Sequence, residues 1–194
     1  MAHIDPRPAR GAGLFVRLAY WLAKRRVGRV PGSVGIMAHN RRVLAAVGAY
    51  EMTAERTTAI SPRLKVLAEL KAATIVGCRF CIDLGSSLAA AHGVSREDLA
   101  ELPIHDRSPR FSPLEKRVID YAVLMTEAPM VVPKPVFDAL LAELGVTALV
   151  ELTAAIAWEN FRARFNHAFG LQEEGYSQQM SCLLPAASPQ EHPA

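Results

Sequence analysis

The sequence predicts an all-α fold of about seven to nine helices, and three observations carry that expectation. Hydrophobic residues make up 51% of the 194 residues but aromatic residues only 7%. A core of Ala, Leu and Val of this kind packs as helices more readily than as sheets. Apolar positions recur at helical spacing, with almost none of the strict alternation that marks strands. Helix starts and stops are also written densely along the chain.

Taken in order, Leu14, Leu18, Trp21 and Leu22 form an apolar stripe in a basic N-terminal arm. A helix is expected from about Asn40 to Arg56. Ser61-Pro62 then supplies an N-cap followed by proline at the first helical position, opening a helix that runs to Gly77. Another helix begins at Cys78 and continues to Ala91, where His92-Gly93 reads as a stop. Ser95-Arg96-Glu97-Asp98 has the form of a capping box, and so does Ser112-Pro113-Leu114-Glu115, which starts a helix through about Thr126. Residues 103–110 read as a loop. Pro133 opens a helix ending near Gly145, and a last, long helix runs from about Thr147 to Phe169. Beyond Gly170 the chain turns Gln-, Ser- and Pro-rich and is expected to be irregular, Cys182 included. The domain reading is an arm over residues 1–39, a helical domain over 40–171 and a tail over 172–194.

Charge is unevenly spread. Residues 1–50 hold nine basic residues against Asp5 alone, while the net charge of the chain is only +3. A basic arm can bind nucleic acid or an anionic membrane. The apolar stripe within it points instead to docking on protein, within the chain or between subunits. No uninterrupted apolar run approaches the ~20 residues that span a bilayer. Lys24-Arg25-Arg26 follows the first apolar stretch, the wrong polarity for a secretory signal. The expected setting is soluble and cytoplasmic, where a cysteine pair serves catalysis or a metal more often than a structural cross-link.

Cys78-Arg79-Phe80-Cys81 is the segment that bears on function. One helical turn brings both sulfurs to the same side. Such a pair can cycle between dithiol and disulfide, hold a metal, or fill core volume. At a helix N-terminus a thiolate gains from unpaired N–H groups and the helix dipole. It can then attack a peroxide, leaving a sulfenic acid that the neighbouring thiol resolves. A zinc site needs about four ligands, and no second C-x-x-C is present; His92 and His105 lie at unusual spacings. Cysteine also packs well as a small apolar residue.

The stretch Leu64 to Asp83, continuing through Ala91-His92-Gly93-Val94-Ser95, resembles the core of the carboxymuconolactone decarboxylase superfamily, with the alkylhydroperoxidase D-like (AhpD-like) branch nearest. Phe111 to Lys116 looks like that family's next helix start. Glu151 to Arg164 looks like its final helix, with Asn160 and Arg164 matching an Asn-Phe-x-x-Arg pattern. The resemblance covers roughly residues 40–171. It implies an oligomer built as a trimer or a multiple of trimers, and peroxidase chemistry without metal or organic cofactor. It also implies that Cys81 reacts with the hydroperoxide and Cys78 resolves it, with an external thiol donor completing the cycle. Nucleic acid and membrane are not among the implied partners. The family's proton relay uses a Glu and two His at positions that here hold Val66, Phe80 and Gly85.

Two residues are expected to stand in for that relay. Glu69 lies one turn closer to Cys78 on the same helix as Val66, in a segment rich in Leu and Ala, where a carboxylate can act as a base. Its alternative is a solvent-facing residue balanced by Lys65 or Lys71. On the last helix Glu159, Asn160, Arg162, Arg164, Asn166 and His167 form a polar cluster, in which Asn160, Arg164 and His167 share a face. That face is expected to be a structural or interface network, with His167 as the imidazole best suited to a relay. Asp83 is expected to stabilise the first turn of its own helix through the dipole. The functional expectation is a thiol-dependent peroxidase working through Cys81 and Cys78. A decarboxylase-type lyase and a non-enzymatic redox-responsive oligomer are the alternatives.

Overall fold

The computed structural model describes residues 2–177; Met1 and residues 178–194, with Cys182 among them, lie outside the described residues. Among the described residues there are eight α-helices. They are α1 (Leu14–Val27), α2 (Gly32–Met37), α3 (Arg41–Ala54), α4 (Pro62–Val76), α5 (Arg79–Ala89), α6 (Arg96–Glu101), α7 (Pro113–Thr126) and α8 (Lys134–Ala168). Short 3₁₀ turns follow α5 at Ala90–His92 and α6 at Leu102–Ile104. Gly145, with φ 74° and ψ 168°, leaves the helical conformation and breaks α8 at a kink, so its two limbs are the two helices expected on either side of that glycine. By length and apolar composition α8 could cross a bilayer. Here Leu140, Leu149, Leu152 and Ile156 of its two limbs are buried in a protein core.

The chain divides into two compact units. One comprises residues 2–58 with Ala168–Leu171, so α3 groups with the arm helices. Within it the Arg7 N–H donates to the Gly35 carbonyl at 3.0 Å, and the Tyr20 hydroxyl donates to the Arg7 carbonyl at 2.5 Å. α2 had no counterpart in the sequence reading, because two glycines in six residues depress helix propensity. It forms nonetheless, with Gly32, Gly35, Ile36 and Met37 buried. Tertiary burial overrides local preference there.

The second unit, Ala59–His167 with residues 172–177, carries the cysteine pair. α4 is its axis. One face of α4 contributes Leu64, Ala68 and Ala72 to a core with Val118, Tyr121, Ala122, Leu140, Leu149, Leu152 and Ile156. The other contributes Leu67, Leu70 and Ala73 to a core with Ile82, Ala89, Leu99, Leu102, Phe111 and Ile119. A helix buried on two sides reads as apolar nearly all round, as the sequence of α4 does.

Polar cross-links pin the helix ends. Both expected capping boxes form, Ser95 with Asp98 and Ser112 with Glu115. Arg63 at the start of α4 reaches Asp98 at 2.6 Å and Glu115 at 2.5 Å, and Arg110 meets Asp98 at 2.8 Å. Burial acts against the Asp98 carboxylate, yet hydrogen bonds from Arg63, the Ser95 N–H and Arg110 hold its pKa down at about 2. His105, which the sequence placed in a loop without a role, is buried. Its Nε2 lies 2.8 Å from Asp120 of α7 and its Nδ1 3.4 Å from Lys71 Nζ of α4.

Candidate active site

Gly77 makes the break on which the site depends. It caps α4 with φ 75°, a conformation that glycine adopts without a Cβ penalty. The Cys78 N–H then bonds back to the Ala73 carbonyl at 3.1 Å, closing the helix end. The chain re-enters a helix at once, with Cys78 as the N-cap of α5 and its Sγ accepting the Cys81 N–H at 3.2 Å. Both cysteines therefore sit in the first turn, as the sequence predicted. They are joined as a disulfide with Cα atoms 5.3 Å apart. Cys78 is 1% exposed, whereas Cys81 is half-buried and packs against the edge of the second core.

The wall facing Cys81 comes from α8. Asn166 Nδ2 donates to Cys81 Sγ at 3.3 Å. One turn earlier, Arg162 joins two carboxylates: Glu159 at 2.6 Å and Glu69 of α4 at 3.3 Å. Glu69 is thus balanced by Arg162, while Lys65 pairs with Glu151 and Lys71 turns to His105. His167 is exposed, and no hydrogen bond among the described residues ties it to either sulfur. The expectation that it serves the pair is not met, because one residue along a helix is a 100° rotation and Asn166 takes the inward position. Asn160 and Arg164 do form the expected structural network. Asn160 Nδ2 donates to Thr126 Oγ1 at 3.0 Å, Arg164 donates to the Thr126 carbonyl at 3.0 Å, and the two side chains bond to each other. His167 has no part in it.

Asn166 was legible only as one member of the polar cluster. The stripe Glu159, Arg162, Asn166, at offsets of three and four, was the signal that separates it from the solvent-facing residues.

The turn bearing the cysteines also holds the segment that follows α8. Arg79 makes a two-pronged ion pair with Glu173 at 2.6 and 2.7 Å. That contact raises the Arg79 pKa and lowers that of Glu173 to about 2. Phe80 is buried and meets Tyr176 edge to face, with ring centroids 6.4 Å apart. Asp83 is 0% exposed, and its carboxylate accepts the backbone N–H groups of Glu174, Tyr176 and Ser177 at 2.8, 3.0 and 2.6 Å. Its role is to anchor this segment, not to serve the dipole of its own helix. Phe80 and Gly85 occupy two of the relay positions and both are committed to packing. An ideal Cβ at Gly85 would stand 2.8 Å from Leu70 Cδ2. Among the described residues no three His, Cys, Asp or Glu side chains converge as a metal centre requires.

These features, a helical break followed by a cysteine turn in an all-α body, define a class that comparison with known proteins identifies. A profile of the carboxymuconolactone decarboxylase family matches residues 41–123. The uncharacterized protein YnjA of Escherichia coli (strain K12) is 30% identical over 177 residues, spanning 89% of this chain and 92% of that protein. The chain belongs to the carboxymuconolactone decarboxylase family. Its fold is AhpD-like. The AhpD core of a peroxidase-related protein from Ralstonia eutropha JMP134 superposes with a TM-score of 0.79 at 14% identity, covering 90% of this chain and 94% of that one. The debrominase Bmp8 superposes with a TM-score of 0.81 at 20% identity, covering 93% and 97%.

Proposed function

We propose that the protein is a thiol-dependent peroxidase that reduces hydroperoxides through Cys81 and Cys78. The observation that carries this reading is the asymmetry of the pair: Cys81 is reachable from solvent and Cys78 is buried. In the reduced protein the Cys81 thiolate attacks the terminal oxygen of R–O–O–H. An S–O bond forms and the O–O bond breaks, so sulfur is oxidised by two electrons and the peroxide is reduced. The alkoxide leaves and takes up a proton as the alcohol. Cys78 then attacks the sulfenic sulfur, forming the disulfide and releasing water once a proton is supplied. A dithiol donor returns the pair to the reduced state in the cytoplasm.

The first turn of α5 supports the sulfur chemistry, since the helix N-terminus favours a thiolate and Cys78 already accepts an N–H there. Glu69 is the proposed base, one turn of α8 separating its partner Arg162 from Asn166 at the sulfur.

Peroxide consumption coupled to a dithiol tests the reading. Cys81→Ser is expected to abolish it, and Cys78→Ser to stop after one turnover with a sulfenic acid that a dimedone-type reagent traps. Consumption that persists in Cys81→Ser would remove the proposal.

A further inference from the structure

We propose that Asn166 is a catalytic residue that holds both reactants, its amide nitrogen on the Cys81 sulfur and its amide oxygen on the O–H of the incoming hydroperoxide. This deepens the peroxidase reading and rests on it. The sulfur carries no proton in the disulfide and can only accept, so the Nδ2 end of the amide must face it, as found at 3.3 Å. The other end is then fixed. Asn166 is 3% exposed, and its Oδ1 is buried without a hydrogen-bond partner among the described residues. Buried carbonyl oxygens are nearly always satisfied, and an exception calls for a missing partner.

A hydroperoxide supplies one. Its terminal O–H is a donor, and the oxygen bearing that hydrogen is the atom the thiolate must strike. Because Nδ2 and Oδ1 belong to one rigid plane, a peroxide donating to Oδ1 is held beside the sulfur that Nδ2 grips. The same nitrogen donates to the thiolate before attack and to the sulfenic oxygen or sulfur after it. The proton of the peroxide hydroxyl stays on the sulfenic oxygen, so Asn166 orients without exchanging protons. This role also needs no histidine at the positions filled by Phe80 and Gly85.

The test uses the full chain carrying Cys78→Ser and Cys182→Ser, so that Cys81 is the sole thiol. Two rates are measured at a pH where that thiol is fully ionised: with hydrogen peroxide, and with methyl methanethiosulfonate, which has no donor to offer Oδ1. Asn166→Ala is expected to lower the ratio of the peroxide rate to the thiosulfonate rate on the order of 10²-fold, the scale of lost orientation. Asn166→Asp keeps an acceptor in place and is expected to retain the wild-type ratio while disfavouring the thiolate in a titration. Should Asn166→Ala lose its native helical signal, Asn166→Leu, closer in volume, takes its place. Equal ratios in all variants of a protein that does react with peroxide overturn this inference alone. If Cys81 beside an intact Asn166 reacts with peroxide no faster than free cysteine, the peroxidase reading falls and this inference with it.

Discussion

Two cysteines three residues apart share a turn but not an environment. Cys78 is buried and caps a helix, while Cys81 is reachable and faces an amide from another helix. Spacing alone announced the pair, since the i, i+3 relation is local. What meets the pair was harder to read, because it depends on the rotation of α8 against α4 and α5. A shift of one residue decides between Asn166 inside and His167 outside, and no local pattern distinguishes neighbours so finely. Two substitutions follow from this placement. His167→Ala is expected to leave peroxide turnover within about twofold of wild type, since surface changes away from the site rarely matter. Glu69→Gln is expected to slow turnover by about 10²-fold, the usual contribution of general acid–base help. An unchanged rate in steady-state assays would take Glu69 out of the mechanism.

At the scale of elements, the caps were the most readable features. Ser61, Ser95 and Ser112 each accept the backbone N–H that sequence spacing promised, because a cap is chemistry within four residues. The anchoring of residues 174–177 by Asp83 spans more than ninety positions and left no local trace. Replacing Asp83 by Ala strips three N–H groups of their acceptor. Amide exchange at Glu174, Tyr176 and Ser177 is expected to accelerate by at least about tenfold, with a stability loss of roughly 1–3 kcal/mol in urea titration. The Arg63–Asp98–Arg110 cluster sets an acid limit. The folded pKa of Asp98, about 2, lies below its ordinary 3.8. Its contribution, roughly 2 kcal/mol, is therefore fully present above pH 4 and fades as pH falls toward 2. Denaturation midpoints measured across that window should lose this slope in Asp98→Asn.

Across the whole molecule, the fold class was legible because composition and helix punctuation agree, and α4 shows why. Apolar residues on two of its faces feed two cores, and Leu67, with no exposed surface, sits in the second of them. Leu67→Ala is expected to cost about 2–5 kcal/mol by chemical denaturation without changing the thiol count. Compactness divides the chain after Thr58, while the family match begins at residue 41. Packing and ancestry thus draw different borders around α3. In α1 the side chains of Leu14, Leu18, Trp21 and Leu22 are exposed. A second copy of the chain is the proposed partner for that stripe, in a trimer or a multiple of it. Trp21→Glu should then shift sedimentation equilibrium toward the monomer, and a monomeric wild type at micromolar concentration would refute the assembly.

The closeness of Leu70 to Gly85 couples what these two positions can hold. A histidine introduced at position 85 would bring its Cβ against the buried Leu70 side chain. The end of the Leu70 side chain has to shift to admit any side chain there. A paired substitution tests that coupling. Gly85→His alone should unfold at lower denaturant than Gly85→His combined with Leu70→Ala, although each change taken singly is harmful. Such a rescue would mark Gly85 and Leu70 as one packing unit beneath the cysteine turn.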